Sequence, residues 1–242
     1  MGSIEDFREV ANLLTADFSC LLIDLPGHGK TEVSRDTCYQ MPLLAQGIVE
    51  LLTELKIKQC FLVGYSMGGR LALYLTLNFP QYFIKVVLES ASAGLVTKAA
   101  RDKRIQQDFQ LINNLKIIDF AAFLEKWYQN PLFTSFRHHP NYDLAIARRL
   151  NNNPQKLAKS LRYMGLGVQP SLWQKLKDNT IPLLLIVGEC DRKFIAINRR
   201  MTDLTTNSSL EIVKNTDHNV HFGHPLILAQ LIITFFHKLT NK

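Results

Sequence analysis

Three side chains that together form a nucleophilic triad occur in this sequence in the order serine, aspartate, histidine. Ser66 lies within Gly64-Tyr65-Ser66-Met67-Gly68, between an apolar, strand-like run and a helix-forming run. A serine in such a tight turn becomes reactive when a histidine accepts its proton and a carboxylate fixes the histidine tautomer. Asp191 and His218 each follow a further strand-like run. The sequence therefore predicts a triad of Ser66, Asp191 and His218.

Other residues near this predicted triad offer alternatives. Glu189 is a rival carboxylate for Asp191, whereas Asp217 is a poor one because an immediate neighbour cannot readily reach its own histidine's ring. His218, His221 and His224 recur at intervals of three, which raises a metal site, but no cysteine or carboxylate completes a shell. We therefore predict no metal.

Short apolar runs alternate with amphipathic stretches, which is typical of a mostly parallel sheet with helices on both faces. The sequence thus predicts an α/β fold. Strands are predicted at residues 19–23, 60–63, 84–88, 183–187 and 210–213, and helices at residues 4–14, 41–55, 67–77 and 226–238.

Between these core segments, the strand signal disappears and basic, helical periodicity replaces it. This pattern predicts an α/β core formed by residues 1–93 and 180–242, with residues 94–179 inserted as a helical cap. Residues 95–178 contain fourteen Lys and Arg against six Asp and Glu, so this segment holds the whole excess of the net charge of +7. Solvated helix faces explain such an excess, and so does a basic cap over a small anionic substrate.

Composition excludes several classes of protein. Apolar residues form 47% and charged residues 20% of the 242 residues, which is a globular balance. No apolar run reaches membrane-spanning length, and no basic block with interleaved aromatics suggests nucleic acid. The first residues, Met1 to Asp6, carry no export pattern, so we expect a cytoplasmic protein. Four cysteines without Cys-x-x-Cys spacing predict free, mostly buried thiols, and no oligomeric state is predicted.

These motifs resemble the α/β-hydrolase superfamily, through the turn Asp24-Leu25-Pro26-Gly27-His28-Gly29, in which His28 is expected to order the loop, and through the predicted triad. With Arg70 following the Ser66 turn, three stretches of the insertion narrow the resemblance to the 2-succinyl-6-hydroxy-2,4-cyclohexadiene-1-carboxylate synthases. Those stretches are Trp127-Tyr128-Gln129-Asn130-Pro131, Leu150-Asn151-Asn152-Asn153 and Gly167-Val168-Gln169-Pro170.

The resemblance implies a lyase that eliminates pyruvate from a cyclohexene carrying several carboxylates, in menaquinone or phylloquinone biosynthesis. It implies no metal or organic cofactor, and a serine that helps to remove a ring proton instead of forming an acyl-enzyme. By motif position, the triad is Ser66, Asp191 and His218. The implied substrate-binding residues are Arg70, Arg104 and Arg149 for carboxylates, Tyr65 and Trp127 as pocket lining, and the Met67 N–H as an oxyanion donor.

One departure from the family pattern concerns the start of the chain. The family pattern has a His-Gly motif at this point, and Met1-Gly2-Ser3 falls within it, after the His-Gly itself. Three strands and a second oxyanion donor are therefore expected upstream of Met1. We therefore expect N-terminal strands to be missing and the chain to begin at an internal methionine of a longer reading frame. Two alternatives stay open: a serine hydrolase of a carboxylate-bearing ester or C–C bond, and a catalytically inactive binding protein.

Overall fold

The structure, a computed structural model, describes residues 1–238. Four parallel strands form one sheet in the order β1-β2-β3-β4. The strands are β1 (Cys60–Tyr65), β2 (Phe83–Glu89), β3 (Leu183–Gly188) and β4 (Ser208–Val213). Each one contains a predicted strand, which confirms those four predictions.

Helices cover the sheet and fill the long connection between β2 and β3. Their bounds are α1 (Arg8–Leu14), α2 (Met41–Glu54), α3 (Met67–Asn78), α4 (Lys98–Ile117), α5 (Phe120–Tyr128), α6 (Thr134–Arg137), α7 (Tyr142–Leu150), α8 (Pro154–Met164), α9 (Arg192–Thr202), α10 (Val220–Gly223) and α11 (Pro225–His237). Short 3-10 helices add Ile4–Phe7, Asp36–Tyr39, Pro80–Tyr82, Pro131–Phe133 and Lys175–Asp178.

The two faces of the sheet carry separate apolar cores, because successive strand residues point to opposite faces. Val86 and Leu185 pack on the face covered by α2, α3 and α9, whereas Val87 and Ile186 pack on the face covered by α1 and α11. All four side chains are fully buried. The apolar run of β3 and the nearly continuous one of β2 are thus explained by cover on both sides, and the α/β architecture is confirmed.

Residues 94–179 contain helices α4 to α8 and, in the part of the chain that the structure describes, no strand. Two apolar clusters lie within this segment, one around Ile112 and Phe123 and the other around Tyr128 and Phe136. The segment therefore has apolar cores of its own. Its division from residues 1–93 and 180–242 as a cap domain stays a prediction.

The strand predicted at residues 19–23 is wrong. This segment is irregular, and the side chains of Leu21 and Ile23 are 53% and 38% exposed. A strand needs a neighbour to receive its backbone hydrogen bonds, and β1 is the edge of the sheet within residues 1–238. The apolar run thus lacks the partner that would make it a strand.

A smaller finding concerns the exposure of the cysteines. All four cysteines are free, as predicted, but the expectation of burial is wrong for two of them. Cys20 is exposed in an irregular segment, and Cys190 is exposed in the turn after β3.

Among residues 1–238, no helix is both long enough and apolar enough to cross a bilayer. The cytoplasmic location stays a prediction.

Candidate active site

Ser66 occupies the turn between β1 and α3 in a backbone conformation that few side chains adopt. Its φ of 49° and ψ of −107° lie outside the favoured regions for a residue with a Cβ. The Ser66 N–H donates a hydrogen bond to the Glu89 carbonyl oxygen at 2.8 Å, which ties this turn to the end of β2. The strained turn holds the hydroxyl at the carboxyl end of the sheet, at the positive end of the α3 dipole.

Glycines allow β1 and α3 to approach each other at this turn. A Cβ on Gly64 would lie 2.6 Å from the Gly68 carbonyl oxygen, and one on Gly69 would lie 2.7 Å from the Cβ of Ala91. A Cβ on Gly68 would meet nothing within 4 Å. Of the two glycines in the motif Gly64 to Gly68, Gly64 therefore provides space for this approach, and the second close approach is at Gly69 instead of Gly68.

Asp191, His218 and Ser66 form a continuous chain of hydrogen bonds. Asp191 Oδ2 lies 2.7 Å from His218 Nδ1, and His218 Nε2 lies 3.0 Å from Ser66 Oγ. The other oxygen of Asp191 accepts a hydrogen bond from the Phe194 N–H at 3.1 Å and so caps α9. Asp191 and His218 are buried, at 2% and 4% exposure.

This arrangement can move a proton. With its Nδ1–H donated to Asp191, the neutral imidazole presents a lone pair on Nε2 to the Ser66 hydroxyl. The rings of Phe194, Tyr65 and Phe133 surround His218, with centroids 4.6, 5.4 and 6.0 Å away. Because these rings exclude water, the electrostatic interactions inside the site are strengthened.

Neither rival carboxylate contacts His218. Glu189 is exposed, and it accepts a hydrogen bond from the Asn215 N–H at 3.2 Å. Asp217 is buried but turns towards α6, where its Oδ2 accepts a hydrogen bond from the Ser135 N–H at 2.6 Å. The structure therefore pairs the histidine with Asp191.

Arg70, one turn of α3 after Ser66, extends towards residues 94–179. Its Nη1 donates to Gln169 Oε1 at 2.7 Å and its Nη2 to the Met164 carbonyl at 3.1 Å. Burial, and then the charge of Arg104, lower the pKa of Arg70 to about 10, so it stays a cation at neutral pH. Arg104 on α4 is partly exposed and pairs with Asp108 at 2.7 Å. Arg70 and Arg104 are thus close enough to interact electrostatically, with the carboxylate of Asp108 as a counter-charge to both.

Arg149 lies elsewhere, against the first turn of the chain. Its Nη1 and Nη2 donate to the two carboxylate oxygens of Asp6 at 3.2 and 3.0 Å, and its Nε donates to the Tyr128 hydroxyl at 2.6 Å. With a further bond to the Ala145 carbonyl, the hydrogen bonds within residues 1–238 use four of its five N–H donors. Trp127 packs nearby on α5, with its ring 6.3 Å from that of Phe133.

Comparison with known proteins gives this geometry a family. The family model described as the alpha/beta hydrolase fold matches residues 1–225. An Escherichia coli 2-succinyl-6-hydroxy-2,4-cyclohexadiene-1-carboxylate synthase is 31% identical over 95% of this chain and 88% of its own length. The chain belongs to this synthase family of α/β hydrolases.

Two further comparisons agree with the synthase family. A Bacillus subtilis relative, named provisionally as the same synthase, is 35% identical over 90% of this chain and 81% of its own length. The solved structure of MenH from S. aureus is 31% identical, covers 97% of this chain and is itself covered to 89%, with a TM-score of 0.93. The family resemblance stated from the sequence is thus confirmed.

The structure brings five of the residues predicted from the synthase family into one cluster, whereas the other four contact different partners. Ser66, Asp191 and His218 are in contact, with Tyr65 and Met67 on either side of Ser66 in the chain. The partners of the other four are Gln169 for Arg70, Asp108 for Arg104, Asp6 for Arg149 and the Phe133 ring for Trp127.

Sequence reasoning missed several buried groups of this synthase-family site. Gln169, the partner of Arg70, stands out in the sequence only as part of a family motif. In the structure its Nε2 is buried without a hydrogen-bond partner among the described residues. Asp6 was not predicted to hold Arg149. Glu89 and His221 were not predicted to pair, yet their side chains meet at 2.8 Å. Only the motif Gly167 to Pro170 carried a sequence signal for any of these contacts.

The histidines spaced by three do not converge. His221 is buried against Glu89, whereas His218 faces Asp191 and Ser66. Within residues 1–238, no three His, Cys, Asp or Glu side chains are grouped so that they could hold a metal ion.

Proposed function

We propose that this protein is a lyase that eliminates pyruvate from 2-succinyl-5-enolpyruvyl-6-hydroxy-3-cyclohexene-1-carboxylate to give 2-succinyl-6-hydroxy-2,4-cyclohexadiene-1-carboxylate, a step of menaquinone or phylloquinone biosynthesis. The observation that carries the proposal is the unbroken chain from Ser66 Oγ through His218 to Asp191, at 3.0 and 2.7 Å. Membership of the synthase family supports it.

The reaction needs a base, and this site supplies one. The Ser66 hydroxyl gives its proton to His218 Nε2, and the serine oxygen removes a ring proton from the substrate. The electrons of that C–H bond form the new ring double bond, and the C–O bond to the enolpyruvyl group breaks. The leaving enolate takes up the proton held by His218 and becomes pyruvate, which returns the imidazole to its neutral form. No covalent bond between the serine oxygen and a substrate carbon is needed at any step.

Negative charge develops on the substrate as the proton leaves. The Met67 N–H is at the start of α3, where the first N–H groups have no partner within the helix and the helix dipole is positive. We assign it to the stabilisation of that charge, as the oxyanion donors of α/β hydrolases do. Tyr65 and Trp127 are proposed to line the pocket.

The substrate's carboxylates require fixed cations. We assign this role first to Arg70 and Arg104, because a planar guanidinium binds a carboxylate through two parallel hydrogen bonds. Arg70 already binds the amide oxygen of Gln169, which shows the direction in which its donors point. For Arg149 we propose a smaller contribution. Both of its Nη atoms already donate to the Asp6 carboxylate, and one N–H is left for the substrate. We also propose that residues 94–179, which contain Arg104 and Arg149, form a cap domain over the site.

Release of pyruvate tests the proposal directly. The protein is incubated with the cyclohexene substrate, and pyruvate is followed through lactate dehydrogenase. We expect Ser66→Ala to lower kcat by about 100- to 10,000-fold, which is the usual contribution of a positioned base. Arg70→Ala is expected to lower kcat/KM by about 10- to 100-fold, through the loss of charged hydrogen bonds.

An exposed arginine gives the matched control. Arg199 lies on the outer side of α9, so Arg199→Ala should leave pyruvate release unchanged. Wild-type release no faster than that of Ser66→Ala would end the lyase proposal. Turnover of simple aryl esters without pyruvate release would favour the serine hydrolase instead.

A further inference from the structure

A second acid–imidazole pair lies beside the triad. Glu89, the last residue of β2, accepts two hydrogen bonds with its Oε1, one from the His221 backbone N–H at 3.0 Å and one with His221 Nδ1 at 2.8 Å. Both residues are buried, at 0% and 2% exposure. A carboxylate this deeply buried is costly to the fold unless its contacts compensate for lost water, so the pair calls for a reason.

Glu89 also contacts the nucleophile. Its backbone carbonyl oxygen accepts the hydrogen bond from the Ser66 N–H at 2.8 Å, and within the sheet it is paired with Tyr65 on β1. One residue therefore holds the serine turn with its main chain and the histidine segment with its side chain. Since β2 lies between β1 and β3, this link is made from an inner strand of the sheet.

Aromatic rings pack the imidazole of His221 in place. The Phe7 ring stacks on it at 4.4 Å, with an angle of 12° between the planes. The Tyr65 ring lies 4.4 Å from His221 and 5.4 Å from His218, so it touches both imidazoles. A displacement of His221 would therefore reach His218 through Tyr65 as well as through the two residues that separate them in the chain.

Other contacts also hold the segment that carries His218, and one of them is the hydrogen bond from the Cys190 N–H to the Thr216 carbonyl at 2.9 Å. Asp217 binds the first turn of α6, and the His218 N–H approaches the Leu132 carbonyl at 3.4 Å. Both contacts run to residues of the inserted helical segment. The Glu89–His221 contact joins this segment to the end of β2, beside Ser66.

We propose that Glu89 and His221 are positioning residues, which hold the His218 segment at the correct distance from Ser66. The proposal rests on the proposed function only in that it takes Ser66 and His218 as the reacting pair. A misplacement of about 1 Å costs roughly 100-fold in rate when a catalytic group must meet its partner in line. Neither residue touches the substrate in this role, so substrate binding should not depend on the pair.

The test uses a readout of the triad that is independent of pyruvate chemistry. A fluorophosphonate probe labels an activated serine, and its labelling rate is compared in wild type, Glu89→Ala and Glu89→Gln, alongside kcat and KM for pyruvate release. We expect Glu89→Ala to lower the labelling rate and kcat together, by about 100-fold, with KM within about twofold. Glu89→Gln keeps an acceptor oxygen for both His221 donors, so it should recover to within about tenfold of wild type.

Lys85 provides a matched control on the same strand. It is buried, and its Nζ donates to the carbonyls of Phe235 and Phe236 at 2.9 and 3.2 Å, which ties β2 to the end of α11. Lys85→Met should lower the Tm and leave the labelling rate unchanged. His221→Phe is the second variant, for use if Glu89→Ala does not fold. It keeps the stacking on Phe7 and loses the hydrogen bond of the imidazole to Glu89, so it should slow labelling about tenfold.

The outcomes separate the two proposals. Labelling of a folded Glu89→Ala within about threefold of wild type, or equal slowing in Lys85→Met, overturns the positioning role and leaves the lyase in place. Slow labelling in Glu89→Ala with no pyruvate release from wild type supports the positioning role and removes the lyase. A wild-type protein without Ser66-dependent labelling removes the positioning role as well.

Discussion

Substitution of Asp191 by asparagine should stop catalysis without harming the fold, because Asp191 serves two groups with its two oxygens. Oδ1 caps α9 by accepting from the Phe194 N–H at 3.1 Å, and Oδ2 receives His218 Nδ1 at 2.7 Å. In Asp191→Asn, one side of the amide is an acceptor and the other a donor. The cap requires the acceptor, so the NH2 group is turned towards His218.

The magnitude follows from the tautomer that this amide selects. An NH2 group facing Nδ1 favours an imidazole with its proton on Nε2, which then donates to Ser66 Oγ and cannot accept the serine proton. In a triad, the wrong tautomer costs about 10⁴-fold in kcat, or about 5.5 kcal/mol of transition-state stabilisation. Because the α9 cap survives, the free energy of unfolding should change by less than about 0.5 kcal/mol. Asp191→Ala should lose about 1 kcal/mol more through the missing cap.

The assay is pyruvate release coupled to lactate dehydrogenase, with urea unfolding of the same preparations. Glu189→Gln is the matched control, since it makes the same acid-to-amide change two residues earlier on an exposed side chain, and it should keep full activity. An Asp191→Asn protein that retains more than about a tenth of wild-type kcat would refute the tautomer argument. Equal losses in Glu189→Gln would also refute it.

Three further perturbations follow from the site's packing and charge. Gly69→Ala should lower the free energy of unfolding by about 1–3 kcal/mol, because the added Cβ has a neighbour closer than 3 Å. Gly68→Ala should change it almost not at all, because its Cβ meets nothing within 4 Å. Urea unfolding that ranks the two variants in the reverse order contradicts this reasoning. Asp6→Asn should cost roughly 3 kcal/mol, since it leaves the buried charge of Arg149 without its carboxylate, and a loss below about 1 kcal/mol in the same assay argues against it. Burial lowers the pKa of His28 from 6.5 to about 3. Between these two pH values the imidazole is protonated in the unfolded chain but not in the folded one, so the free energy of unfolding falls as the pH falls. His28→Gln should flatten that fall when urea midpoints at about pH 7 and about pH 5 are compared, and an unchanged slope excludes His28 as its source.

The parts of the fold and site that could be predicted from the sequence are those encoded by neighbours in the chain. The turn at Ser66 is a local strand–turn–helix pattern, and its glycine at position 64 carries the same steric reason in the structure. Asp191 and His218 could be placed because parallel strands end at one edge of the sheet, where the residues that follow them meet. The strand β3 is a continuous apolar run, and β2 is one apart from Lys85 and the closing Glu89, which is the pattern of strands covered on both faces.

Contacts between distant segments could not be predicted in this way. The run at residues 19–23 has the composition of a strand, but pairing depends on a neighbour that composition does not describe. Glu89 and His221 are 132 residues apart and Asp6 and Arg149 are 143 apart, so no spacing rule links them. A glutamate closing an apolar strand is the one local irregularity that marks the first pair, because a buried carboxylate needs a partner.

The positive charge of residues 95–178 shows why a count of charges predicts less than their burial. Several of these cations are exposed and paired, as Lys98 is with Asp102 and Lys159 with Asp36, and exposed pairs of this kind are screened by salt. Arg70, which lies outside the basic segment on α3, is instead buried one turn from the nucleophile, with the carboxylate of Asp108 as a nearby counter-charge. A buried guanidinium keeps its charge in a poorly screened environment, where a carboxylate gains most from binding it. If the substrate is anionic, as proposed, we expect its recognition to depend on the one arginine beside the nucleophile more than on the net charge of residues 95–178.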